Sequence, residues 1–141
     1  MKEHILITEE QFGNHAIVKS LNHYLRMHWS QHKKYKQSYA MFIRNLMSLQ
    51  NISKALPNDR YYLNIVSYRR KLMDMDNLYG AHKWFIDALC DEGFIWDDDP
   101  HHAHITITQH IVKKNTEHTS LQTSVTRDSI MVTNQNRIVS L

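Results

Sequence analysis

Cys90 is the only cysteine, so no intrachain disulfide can staple the chain, and a reducing, cytoplasmic setting is the expectation. Glycine and proline are almost as scarce, three and two in 141 residues, which leaves little material for long loops and none for a Gly- or Pro-rich linker. No apolar run approaches the roughly 20 residues of a membrane-spanning helix, and the N-terminus lacks the basic, apolar and small-residue order of a secretory signal. There is no internal repeat, no low-complexity segment and no Cys/His spacing of the zinc-binding kind. A chain of this length can bury a core unaided, so 1–141 reads as a single domain with a polar tail at 113–141.

What is present is cationic in clusters. The net charge is only +3, but Arg26, Lys33, Lys34, Lys36 and Arg44 lie early and Arg69, Arg70 and Lys71 lie mid-chain. Clustering of this kind suits a polyanion; the plainer reading is a solvated helix face.

Tyr35, Tyr39, Phe42, Leu46 and Leu49 recur at steps of four and three, which predicts a helix over Trp29–Leu49 led in by the polar segment Ser20–Arg26. Pro57-Asn58-Asp59 marks a turn, and Tyr61–Tyr68 then alternates as a strand, with Leu63 and Ile65 on one side. Leu78, Ala81, Phe85, Ala88 and Leu89 predict a second helix from Asn77 to Glu92, closed by Gly93. A loop at Asp97-Asp98-Asp99-Pro100 follows. His104–Val112 alternates again, with Ile105, Ile107 and Ile111 on one face. His15–Val18 reads as a short strand, and Ser129–Thr133 and Arg137–Leu141 as weak strands around a turn at Asn134-Gln135-Asn136.

Asp74 and Asp76 stand two apart where the strand is expected to end, and strand periodicity puts both carboxylates on one side. Two adjacent carboxylates repel unless a cation lies between them, and all-oxygen donors suit Mg²⁺, with Mn²⁺ able to substitute. The Asp97–Asp99 run is a third source of acid. It can return to the first pair if the next strand lies alongside Tyr61–Tyr68, since the intervening helix spans roughly 24 Å. Asp76 has a second reading as the N-cap of the helix.

Met73-Asp74-Met75-Asp76-Asn77-Leu78, then Ile86-Asp87-Ala88-Leu89, Gly93-Phe94-Ile95 and Asp97-Asp98-Asp99-Pro100, form an ordered set over about residues 69–104. This set closely resembles the RusA family of Holliday junction resolvases and their phage-borne relatives. The resemblance implies an α+β fold, a single compact domain with a small mixed sheet packed against two main helices. It also implies a homodimeric, Mg²⁺-dependent endonuclease that resolves four-way DNA junctions by paired, symmetric cuts in recombination and repair, in a bacterial cell or a phage-infected host. On that pattern Asp74, Asp76 and Asp98 are metal ligands, with Asp97 or Asp99 open as alternatives to Asp98. Lys83 corresponds to the family's catalytic lysine when counted back from Asp87-Ala88-Leu89, and on one continuous helix it would face the same way as Asp76. Arg26, Lys33, Lys34, Lys36, Arg69, Arg70 and Lys71 would contact DNA phosphates, which position a duplex without reading its sequence.

Two other readings use the same residues. In one, the acids are helix caps and a solvated loop in a non-catalytic protein that binds branched DNA. In the other, His101, His102 and His104 join the aspartates around a transition metal, with His102 and His104 on one strand face.

Overall fold

Trp29–Leu49 folds as one helix, over the span its spacing predicts. The computed structural model describes residues 3–7, 21–127 and 134–135. In chain order its elements are β1 (Glu3–Ile7), α1 (Leu21–Arg26), α2 (Trp29–Leu49), β2 (Asp59–Arg69), α3 (Met75–Ala81), α4 (Lys83–Asp91), β3 (Ala103–Ile111), β4 (His118–Arg127) and β5 (Asn134–Gln135). The fold is α+β, with one mixed sheet ordered β1-β4-β2-β3 and β5 paired to β4. Among the described residues no helix is long and apolar enough to cross a membrane.

On α2, Tyr39, Phe42 and Leu46 are buried as their stripe requires, joined by Ile43 and Met47. Leu49, expected on that stripe, is 76% exposed, because at its last residue the helix has run past the core. The segment before it, expected as a lead-in, contains the short helix α1. Along β2, Tyr61, Leu63 and Ile65 turn into the core shared with Phe42, Leu46, Phe85 and Leu89, so one face of the sheet carries the helices. Of the isoleucines on β3, Ile107 is buried and Ile105 half-buried, but Ile111 is 65% exposed where the strand ends.

β3 lies parallel to β2, from Tyr61 opposite Ala103 to Arg69 opposite Ile111. Parallel neighbours need a crossover, and α3 and α4 supply it. The pairing has a consequence for the acids. The chain leaves β2 toward Asp74 at one end of the strand pair and enters β3 from the acidic loop at the other, about 26 Å away at 3.3 Å per residue.

β4 gives structure to the first part of the polar tail, which the sequence pattern leaves unassigned. It pairs antiparallel with β2 along its whole length and with β1 on its other side, so it is a central strand. Its polar composition hides this: Thr119, Leu121, Thr123 and Val125 are the buried alternate residues, and buried threonine fits a pleated surface as valine does. β1 had no anticipated counterpart. The turn expected at Asn134-Gln135-Asn136 gives way to β5, which pairs with Val125 and Thr126. His15–Val18, Ser129–Thr133 and Arg137–Leu141 lie outside the described residues.

The second helix starts earlier than expected and is broken. Its stripe is intact, with Leu78, Ala81, Phe85, Ala88 and Leu89 all buried, but His82 separates α3 from α4. The His82 imidazole Nδ1 donates to the Leu78 carbonyl at 2.7 Å, the acceptor its own backbone N–H would use in a continuous helix. That N–H turns instead to Tyr79 and Gly80. Gly93, with φ +79°, ends α4 as expected, and Phe94 N–H reaches back to Leu89.

His82 is fully buried, and burial, opposed in part by its bond to Leu78, pushes its pKa down to about 4 from the ordinary 6.5. An unfolded chain therefore takes up a proton that the native imidazole refuses between those two values. The stability gained from a neutral His82 is present above pH 6.5 and lost as pH falls toward 4, a change of up to roughly 3 kcal/mol. Urea unfolding at pH 7.5 and 4.5 should show a smaller acid loss in His82→Asn than in the wild type.

Candidate functional site

Lys83 opens α4, and its ammonium makes ion pairs with Asp87 Oδ1 at 2.9 Å and Asp98 Oδ2 at 3.4 Å. The first follows from the i,i+4 spacing on a helix; the second joins the helix to the acidic loop. Hydrogen bonding to Asp87 raises the Lys83 pKa, with Asp98 adding to it against desolvation, so the ammonium is firmly charged. These groups rim a cavity of about 360 Å³ that also takes in Asp97, Asp91, Cys90, Trp84 and Lys36.

The three consecutive aspartates separate by role. Asp97 Oδ1 accepts the Asp98 backbone N–H at 2.7 Å, which fixes the loop. Carboxylate oxygens of Asp97 and Asp98 and the Cys90 sulfur all lie within 4.8 Å of one another. Asp99 turns away: it accepts from His101 N–H at 2.8 Å and meets His102 Nδ1 at 2.6 Å. The His102 contact lowers the Asp99 pKa and raises that of His102, as expected of an ion pair. His102 also binds the Pro57 carbonyl, so the pair ties the loop to the turn before β2.

Cys90 is half-buried, and burial together with the carboxylates of Asp98 and Asp97 pushes its thiol up to about 12. At neutral pH it is a protonated thiol. Its sulfur shares a ligand-sized group with Asp97 and Asp98, and a soft thiol is not the donor that a hard cation prefers. Asp97 and Asp98 by contrast are a carboxylate pair open to solvent, and Mg²⁺ is commonly held by one or two carboxylates with water and substrate phosphate completing its shell. The two carboxylates are donors that a divalent cation can use, and they do not by themselves select Mg²⁺.

Asp74 and Asp76 occupy a different setting. β2 ends at Arg69, so strand periodicity does not govern them, and the ligand atoms of Asp74, Asp76 and Asp98 do not gather within 4.8 Å. Asp74, not Asp76, is the N-cap: Oδ1 accepts Asn77 N–H and Oδ2 accepts the Asn77 side-chain amide, both at 2.9 Å. Gln109 of β3 clamps the Met73 backbone just before it. Asp76 is exposed in the first turn of α3, where its charge suits the helix dipole. Because His82 breaks the helix, the inference that Lys83 shares a face with Asp76 does not hold; Lys83 is brought to Asp98 instead. Asp74→Ala should cost about 1 kcal/mol through the lost cap and Asp74→Asn much less, as thermal unfolding can measure.

The cations divide as well. Arg26, Lys33, Lys34 and Lys71 are exposed, and Arg70 lies 3.9 Å from Glu117. Arg69 is half-buried, donates to the buried Ser67 hydroxyl at 3.1 Å, and has its pKa lowered by burial, so it is directed into the fold. Arg44 is committed to Glu92 through two bonds. Lys36 alone of the expected DNA contacts lines the cavity, with Nζ 5.1 Å from the centre of the Trp84 ring.

The histidine site is not formed. His102 lies in the turn before β3 rather than on the strand, His104 is exposed, and no histidine enters a three-residue ligand group among the described residues. Sequence reasoning left Asp87 and Trp84 out of the site. The i,i+4 spacing of Lys83 and Asp87 was a readable signal; nothing in the sequence places Trp84 under Lys36. No protein-family model matches the chain, and no curated protein matches it.

Proposed function

We propose that this protein is a divalent-metal-dependent endodeoxyribonuclease of the RusA type that cuts four-way and other branched DNA. The supporting observation is the approach of Lys83 to Asp98, 15 positions apart in sequence. These are the late basic and acidic elements of the resemblance, and they meet at a cavity open to a substrate strand.

Phosphodiester hydrolysis needs an activated water and stabilisation of the extra negative charge at phosphorus. A bound Mg²⁺ supplies acidity to a water and neutralises phosphate charge. Asp98 and Asp97 would hold it, whereas Asp74 and Asp76 lie outside this group of ligand atoms. Lys83, anchored by Asp87, presents a fixed ammonium toward the non-bridging phosphate oxygens, where a preorganised charge acts most strongly in the transition state. The exposed lysines of α2 would hold the flanking backbone. A two-fold homodimer would present two such sites to a nearly two-fold junction and so pair the cuts.

The closed cap at Asp74 favours a second reading, a protein that binds branched DNA without cutting it, since both oxygens of that acid are already used. Incubating wild type with a labelled four-way junction beside a linear duplex of the same sequence separates the two. The nuclease reading expects the junction to be cut in preference; binding alone supports the second reading, and indifference to both DNAs rejects each.

A further inference from the structure

Four carboxylates, Asp87, Asp91, Asp97 and Asp98, face the cavity against two lysines. A phosphate is repelled by such a surface unless cations offset it, and a divalent ion together with both lysines is just enough. Lys83 already spends its charge on Asp87 and Asp98. Lys36 meets no carboxylate at ion-pair distance among the described residues.

We propose that Lys36, seated over the Trp84 ring, binds a substrate phosphate across the cavity from the Asp97–Asp98 loop, with Trp84 as its positioning residue. This rests on the reading of the cavity as a nuclease site. It separates Lys36 from Lys33 and Lys34, which sit on the same helix but do not line the cavity.

The platform is built before any ligand arrives. Trp84 packs against Tyr24 at 4.2 Å and His32 at 5.0 Å between ring centres. His32 in turn bonds the Tyr24 carbonyl at 2.7 Å, and Tyr24 is buried with its hydroxyl against that of Tyr39. His32 and Lys36 are one helical turn apart, so both reach the same indole. A cation over an indole face is attracted without being neutralised, so a lysine held there keeps donors for a phosphate while losing much of its freedom beforehand.

The test is junction cleavage kinetics in Mg²⁺ over a series of KCl concentrations, for wild type, Lys36→Ala, Lys36→Arg, Lys33→Ala and Trp84→Leu, with thermal unfolding to confirm each fold. Lys36→Ala should raise KM about tenfold with kcat within about twofold, the pattern of a lost binding contact. The slope of log(1/KM) against log[KCl] should become shallower by about one, as for one phosphate contact removed. Lys36→Arg should recover most of the loss, and Trp84→Leu should raise KM a few-fold with the slope kept. A KM change in Lys36→Ala no larger than in Lys33→Ala, or an unchanged salt slope, overturns the assignment while leaving the nuclease reading intact. Wild type that cleaves nothing removes both.

Discussion

Asp98→Asn is expected to lower junction cleavage by at least about a hundredfold, the scale seen when one preorganised charged or donor group leaves an active site. The substitution keeps the shape of the side chain and removes the charge that draws Lys83 and, on the proposed reading, a divalent cation. Asp98 is exposed and supports no buried contact, so the melting temperature should move little. The neighbouring Asp99→Asn makes the contrast. It loosens the pair with His102 and the turn into β3, and should act on stability more than on rate. Single-turnover cleavage and thermal unfolding of both variants would check this. A fully active Asp98→Asn would move the chemistry away from this loop.

Phe85→Ala should be the most damaging substitution for folding, costing roughly 3–5 kcal/mol for a buried aromatic cut back to a methyl. Phe85 is 1% exposed and packs edge-on against Tyr39 and Phe42, with ring centres 6.0 and 6.2 Å apart. It is therefore one of the main core contacts that hold α4 on α2. The same packing sets Trp84 and Lys83 opposite Lys36, so partial loss of the helix interface should weaken the site before the chain unfolds. Phe85→Leu should cost less than half as much. Urea denaturation at pH 7.5 measures both, and a loss under about 1 kcal/mol for Phe85→Ala would contradict the core described above.

The elements legible in the sequence are those whose burial is periodic and apolar. α2, β2 and β3 lie close to their expected spans because Tyr39, Phe42 and Leu46, or Leu63 and Ile65, advertise the face they bury. β4 was not legible because it buries threonines beside Leu121 and Val125, and its position depends on partners distant in sequence. The break at His82 was hidden by a stripe that runs through it without a change of phase. At the break the His82 side chain takes the Leu78 carbonyl in place of its backbone N–H.

The site was legible in part. Lys83 and Asp98, with Asp97 as an alternative, were named through the resemblance, and the fold brings these three together. Asp74 was named with them, but spacing of two suggested a shared strand face where the chain makes a helix cap. Whether β3 runs parallel or antiparallel to β2 decides which end of the sheet receives the acidic loop, and no local pattern records that choice. Lys36, which lines the cavity with Lys83, could not be told from its neighbours Lys33 and Lys34 until the indole beneath it was seen.

The central claim is that this surface hydrolyses branched DNA with a divalent cation. Its most direct test is to incubate the wild-type protein with a four-way junction labelled on each strand in turn, in Mg²⁺ and in EDTA, and to map every cut. Cuts at symmetric positions in two opposed strands with Mg²⁺, and none with EDTA, are the predicted result. Tight junction binding with all four strands intact in Mg²⁺ would contradict it.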